Sequence, residues 1–168
     1  MGCAQRLVWV VAAGLGLAGG GARAEVPRAV AVFPFQMVDT SGEKEDPGRP
    51  ARLVAATAEL AAALMATGQY RSVDLAPFAQ KIGGLQSPDE CGTCWAQVAK
   101  DAGARLEVLP TVHKVSTLIS LMTIWVADVT TMKYVARVEG QIRGDTPEAY
   151  RRGIDFLVSQ ELMKKSAP

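Results

Sequence analysis

The sequence predicts an α/β (α+β) domain with a single mixed β-sheet of about five strands, helices packed mainly on one face, and the order β-α-β-α-β-β-β-α. Three observations carry that expectation. Two short β-branched runs, near residues 29–35 and 70–75, are each followed by a segment with apolar residues at helical spacing. Three long strand-like segments then follow in succession between residues 106 and 142. A capped amphipathic segment closes the chain.

Taken in order, Ala29 to Phe35 (AVAVFPF) reads as a buried strand, with Pro34 placing its end or a sheet edge there. Asp39 to Pro50 is rich in Gly, Pro, Ser and charge and reads as a solvent loop. Pro50 suits the first turn of a helix. Leu53, Ala56, Leu60, Ala61 and Leu64 form its apolar stripe, and Gly68 is placed to end it. Tyr70 to Leu75 is a second strand, and residues 78–86 are irregular. Ser87-Pro88-Asp89-Glu90 has the form of a helix cap, with Cys91, Trp95, Val98 and Ala102 on one stripe behind it. Gly92 would cost that first turn about 1 kcal/mol relative to Ala, so a start at Thr93 is the alternative. Leu106–Ser116 and Thr117–Asp128 are two long strands, the second apolar on both faces as at a sheet centre. In Tyr134 to Ile142, alternation places Tyr134, Ala136, Val138, Gly140 and Ile142 on one face and Arg137, Glu139 and Gln141 on the other. Asp145-Thr146-Pro147-Glu148 caps a last helix whose stripe is Tyr150, Ile154, Leu157, Val158 and Leu162.

The beginning of the chain has a different logic. Arg6, an apolar stretch from Leu7 to Ala18, and Ala22-Arg23-Ala24 before Glu25 have the order of a secretion signal. The apolar core is shorter than the roughly 20 residues a bilayer-crossing helix needs. Residues 1–24 are therefore expected to be cleaved, taking Cys3 with them, and residues 25–168 to form a single domain in the periplasm. Removal of 24 of the 168 residues leaves 144, enough for one domain with a real core. The leader carries two of the 18 basic residues and no acid, which leaves 16 basic against 17 acidic, a formal charge of −1. That balance argues against nucleic acid as a partner, because phosphate binding depends on clustered Lys and Arg. No stable membrane span is expected after cleavage.

The sharpest chemical candidate is the C-x-x-C pair Cys91 and Cys94. At a helix start the dipole favours a thiolate, which permits redox chemistry. Against this, Asp89 and Glu90 directly precede the pair and disfavour a thiolate, and Trp95 follows the pair, whereas thioredoxin-type motifs carry it before. In an oxidising compartment a structural disulfide is the plainer use. Two cysteines and one histidine do not make a convincing zinc set. His113, the only histidine, stands beside Lys114 in a strand with no acid or nucleophile at triad spacing. The acidic loop of Asp39, Glu43, Glu45 and Asp46 lacks the register of a calcium loop. Asp39, His113, Lys114 and Trp95 are thus candidate binding residues. No catalytic residue, metal site or cofactor fingerprint is assigned, and enzymatic activity is not the expectation.

Three segments carry a family resemblance. They are Ala31-Val-Phe-Pro-Phe-Gln-Met-Val-Asp-Thr-Ser41; Cys91-x-x-Cys94 with Ala102-Gly-Ala104 and His113-Lys-Val-Ser116; and Ile142-Arg-Gly-Asp-Thr146 with Tyr150-Arg-Arg-Gly-Ile-Asp-Phe-Leu157. Together they resemble a family of small secreted alphaproteobacterial proteins of unknown function. Relatives in that family can lie beside genes for periplasmic quinoprotein dehydrogenases. The opening strand and long hairpin are more distantly similar to the N-terminal domain of TolB and to curli-export-type domains, which are binding and assembly modules. The resemblance implies a non-enzymatic periplasmic binding or accessory protein, assisting a periplasmic dehydrogenase or an envelope system, with a periplasmic protein or small ligand as partner. Two alternatives stand beside it: a thiol-disulfide protein using Cys91 and Cys94, and an envelope assembly component acting through a free sheet edge.

Overall fold

Two prolines decide how the first strand is built. In the computed structural model, which describes residues 26–163 apart from Asp89 and Gly92, the run Ala29 to Phe35 expected as one strand ends at Val32, and a second short strand follows it. These are β1 (Arg28–Val32) and β2 (Gln36–Asp39). Both run parallel to the long strand β4 (Leu106–Lys114), β1 beside Leu106–Val108 and β2 beside Thr111–Lys114. Pro34 and Pro110 both fall in the gap between these two stretches, where a missing amide hydrogen costs no ladder bond. Among the described residues the sheet therefore has six strands, one more than expected, because Gln36–Asp39, which leads into the acidic loop, is itself paired.

The order is β3-β1-β4-β5-β6, with β2 alongside β4. Here β3 is Tyr70–Ser72, β5 is Ile119–Asp128 and β6 is Lys133–Arg143. β3, β1, β2 and β4 are mutually parallel where they pair, whereas β4, β5 and β6 form an antiparallel meander. The mixed sheet follows from the connections: long helical crossovers join the early strands, and tight turns join the late ones.

Helix α1 (Arg49–Ala66) carries Pro50 in its first turn and ends ahead of Gly68, whose φ of 72° is the left-handed conformation that glycine adopts without strain. It connects β1 and β2 to β3. The return from β3 to β4 passes through a 3-10 turn (Ala76–Phe78), the short helix α2 (Ala79–Gly83) and α3 (Cys94–Asp101). The two crossovers travel in opposite directions along the sheet. Parallel crossovers share one hand, so α1 and α3 lie on opposite faces. Helix α4 (Pro147–Phe156) joins α1; Thr146 caps it by accepting the amide of Ala149 at 3.2 Å, and a π-helical turn (Leu157–Leu162) extends it.

The main core lies between the sheet and the α1/α4 layer. Val30, Val32, Val108, Val112, Met122, Ile124, Val138 and Ile142 meet Leu60, Leu64, Tyr150, Ile154 and Leu157 there. The smaller second core joins Ala31, Phe33 and Leu109 to Trp95, Val98 and Ala99 of α3. Gly153 permits the close approach of α4 to β6, since a Cβ there would stand 2.5 Å from Cγ2 of Ile142.

Three expectations about detail are corrected. The segment 78–86 is not wholly irregular, because it holds α2. Helix α3 begins at Cys94 with Thr93 as its N-cap, in line with the alternative start at Thr93 and not with a cap at Ser87; the Ser87 carbonyl instead accepts the amides of Glu90 and Cys91 in a turn. Tyr134 lies on the face opposite to the one expected. A bulge at Val126/Ala127 pairs Ala127 with Tyr134 and Val126 with Ala136, which turns Tyr134 toward Trp125 and Arg137. The expected leader, residues 1–24, lies outside the described residues.

Candidate binding surfaces

The register brings three of the candidate residues together. Val38 stands beside His113 and Asp39 beside Lys114 where β2 pairs with β4. Asp39 accepts the hydroxyl of Ser41 at 2.6 Å and its amide at 3.0 Å, and it pairs with Arg49. Those Ser41 bonds, reinforced by Arg49 and Lys114, hold the Asp39 carboxyl below its ordinary pKa. Lys114 is only 4% exposed and bonds Glu43 at 2.9 Å. Thr117 also donates to Glu43, and that bond, with Lys114 next, lowers the Glu43 pKa. Arg52 bridges Asp46 at 2.6 Å and Asp145 at 2.8 Å, tying the same loop to the start of α4. His113 Nε2 lies 2.8 Å from the Thr40 hydroxyl. Asp39, Glu43 and Asp46 of the acidic loop are thus held in a clasp by three cations, Arg49, Arg52 and Lys114. Among the described residues no group of three His, Cys, Asp or Glu is placed to hold a metal ion.

Trp95 and the cysteines lie elsewhere. Cys91 and Cys94 are disulfide-bonded in the turn that opens α3. Trp95 is 2% exposed, packs edge-on against Phe33 at 5.0 Å, and donates its indole N–H to the Gln86 carbonyl at 2.9 Å. The sequence places Trp95 beside the pair, but the fold puts its ring in the second core, away from solvent.

The registers across the sheet reveal a larger feature. Because α3 covers only the β1 side, no helix among the described residues lies on the second face of the remaining strands. Reading across, Val38, His113, Leu121 and Gln141 form one row, and Gln36, Thr111, Thr123 and Glu139 the next. Trp125 and Arg137 follow, with the guanidinium 4.6 Å over the indole ring, and the Tyr134 ring meets Trp125 at 5.0 Å in a tilted contact. Arg137 and Thr123 both bond Glu139, at 2.5 and 3.0 Å. Tyr134 is 65% exposed. The surface joins aromatic area, an adaptable set of hydrogen-bonding groups and one charge pair, the composition found at protein interfaces. Sequence alternation identified Arg137, Glu139 and Gln141 as one face, but the bulge that adds Tyr134 leaves no sequence signal.

Glu107 is a second residue that the sequence reading passed over. It lies on the same face at the edge of the second core, 5% exposed, with its Oε2 buried and lacking a hydrogen-bond partner among the described residues. Burial pushes its carboxyl pKa up to about 7. The signal was available in Leu106-Glu-Val-Leu109, a lone acid within an apolar strand.

Comparison with known proteins places this arrangement in context. A family model described as a protein of unknown function (DUF2380) matches residues 28–162. None of the curated proteins matches the chain. Among solved structures, the LpoB C-terminal domain from Salmonella enterica is 16% identical with a TM-score of 0.51, covering 70% of this chain and 83% of that one. Lipoprotein GNA1162 from Neisseria meningitidis is 15% identical with a TM-score of 0.51, covering 71% and 83%. TolB from Acinetobacter baumannii is 14% identical with a TM-score of 0.47, covering 84% of this chain and 28% of that one. At these identities the likeness is one of fold.

Proposed function

The chain belongs to the family described as protein of unknown function (DUF2380), and from that premise we propose that it is a non-enzymatic accessory protein of the cell envelope that binds another protein through its open sheet face. One observation carries the reading: the surface of β2, β4, β5 and β6 on which no helix lies among the described residues, with the Trp125–Arg137–Tyr134 cluster at one end and Leu121 and Val38 at the other. Sheet surfaces of this kind are ordinarily covered or used.

The leader pattern of residues 1–24 and the Cys91–Cys94 bond support a periplasmic setting. One neighbour of the same fold is itself described as a lipoprotein. Among the described residues no helix is long and apolar enough to cross a membrane. In this reading the disulfide is a staple, and the clasp around Lys114 holds β2 and the acidic loop in place at the border of the binding face. The two kinds of partner implied by the resemblance, a periplasmic dehydrogenase or an envelope assembly, both present folded protein surfaces to such a face.

The test is capture from a native envelope extract with the tagged domain, comparing the wild type with Trp125→Ala/Arg137→Ala and with Cys91→Ser/Cys94→Ser. The reading expects one discrete partner, retained by the cysteine variant and lost by the face variant. A partner retained by the face variant and lost with the disulfide would overturn it in favour of thiol chemistry.

A further inference from the structure

The outer edge of the sheet is the long strand β6, which among the described residues pairs with β5 alone. One bond beyond the ladder locates its free backbone groups. The Gly144 amide donates to the Leu118 carbonyl at 3.1 Å, across the Arg143–Ile119 pair. Arg143 therefore stands at a non-hydrogen-bonded position, with its N–H and C=O directed away from β5, and alternation gives Gln141 and Glu139 the same direction. The side chains of these three residues share one face of the sheet, the open one.

The outward positions thus read Glu139, Gln141, Arg143. Charges on an edge strand repel most incoming strands, which is how edges are ordinarily protected. This edge, however, complements its own antiparallel copy. Centred on Gln141, such a pair sets Gln141 against Gln141 of the second copy, and Glu139 against Arg143 of the second copy on both sides of a two-fold axis. The neighbouring registers bring like charges together. Centring on Val138 opposes Arg143 to Lys133, on Glu139 opposes that residue to itself, on Gly140 opposes Arg137 to Arg143, and on Ile142 opposes Glu139 to Asp145.

The groups this register needs are available. Arg143 is exposed and makes no ion pair among the described residues. Thr123 and Arg137 both bond Oε2 of Glu139, so Oε1 accepts no bond from a described residue. On the helical side, Phe156 at the end of α4 is 51% exposed and lines the same groove as Gln141 and Arg143. That position lies beside the two-fold axis, where a second copy would cover the ring.

We infer that the β6 edge takes a second copy of this chain: two chains join antiparallel about Gln141 into one continuous sheet, closed by reciprocal Glu139–Arg143 ion pairs. Both open faces then lie on the same side of the joined sheet, so the dimer offers a partner two adjoining surfaces. The inference does not rest on the open-face reading, and a monomeric chain would leave that reading standing.

Cysteine crosslinking and sedimentation velocity of the purified chain test it together. Directly opposed residues at hydrogen-bonded positions of an antiparallel pair stand about 5.5 Å apart at Cα, within reach of a disulfide. Gln141→Cys should therefore form a covalent dimer with dissolved oxygen as oxidant. Glu139→Cys and Arg143→Cys should each stay uncrosslinked alone and crosslink to one another when mixed. In sedimentation the unmodified chain should show a concentration-dependent monomer–dimer equilibrium. Glu139→Arg and Arg143→Glu should each weaken it by about tenfold or more, because symmetry doubles every like-charge contact, and an equimolar mixture of the two should dimerise again. Phe156→Ala, an exposed truncation that leaves the strand untouched, should weaken it by a smaller factor. A chain that stays monomeric up to its solubility limit, a Gln141→Cys chain that does not crosslink, a dimer indifferent to both charge variants, or a mixture no tighter than either variant alone would each overturn the inference.

Discussion

The two halves of the sheet are built from similar strands and solve different problems. Around Ala29–Val32 of β1 and the start of β4 both faces are covered, α1 on one side and α3 on the other, and apart from Glu107 the side chains between them are apolar in both directions. Past Pro110 the second cover stops. The same strand β4 then alternates buried Val112 and Lys114 with partly open Thr111 and exposed His113. Covering is thus set by topology: opposite crossovers require helices on opposite faces, while the hairpins of β4, β5 and β6 require none. The half that needs no second layer is the half left available for recognition.

The largest expected contrast is between truncations in the two regions. Leu60→Ala, in the α1 layer with no exposed surface, should cost about 2–5 kcal/mol in urea unfolding. Leu121→Ala, partly exposed on the open face, should cost no more than about 1 kcal/mol. Equal losses would mean that the open face is packed against something in the folded state.

Glu107 sharpens the border between the halves. Its folded pKa of about 7 lies above the ordinary 4.5, so the fold holds a proton that the unfolded chain releases between those values. Stability should therefore fall as pH rises through that window and level off above it, by roughly 3 kcal/mol at most. Glu107→Gln should flatten the slope in pH-dependent denaturation. An unchanged slope would place the carboxyl in contact with solvent.

The disulfide belongs to the covered half. It links residues three apart, so its effect on the unfolded chain is modest, and Cys91→Ser/Cys94→Ser should lower stability by about 2 kcal/mol or less. Titration of the bond against glutathione buffers separates the staple from a redox pair, since a structural disulfide resists reduction. The smallest effect is expected on the open side. Arg137→Ala removes the stack on Trp125 and should cost about 0.5–1 kcal/mol, with a shift in Trp125 fluorescence.

Much of the fold was legible in the residues, because periodicity and caps are local. Pro50, Gly68 and the Thr146 cap mark helix ends where the structure has them. The α/β class and the three successive late strands follow from patterns of two and of 3.6. What was not legible depended on pairing. β2 is missed, with Gln36–Val38 unassigned and Asp39 read as the start of a loop, because its four residues gain strand character only from β4, and Tyr134 changes face through a bulge that no spacing announces. The candidate site divided in the same way. Asp39 is distant in sequence from the adjacent pair His113 and Lys114 and meets it through the β2–β4 register, although Asp39 and Lys114 serve a clasp more than a surface. Trp95 was chosen for its neighbours in sequence, and its ring is in the core.

The most direct test of the open face places a photo-crosslinking amino acid, one site at a time, in the chain within its native envelope. His113, Gln141 and Tyr134 sample the face, and Val54 and Arg151 sample exposed positions on the helical layer. The account predicts one common adduct from all three face positions and none from the two helix positions. An adduct confined to Val54 or Arg151, or no adduct from the face, would contradict it.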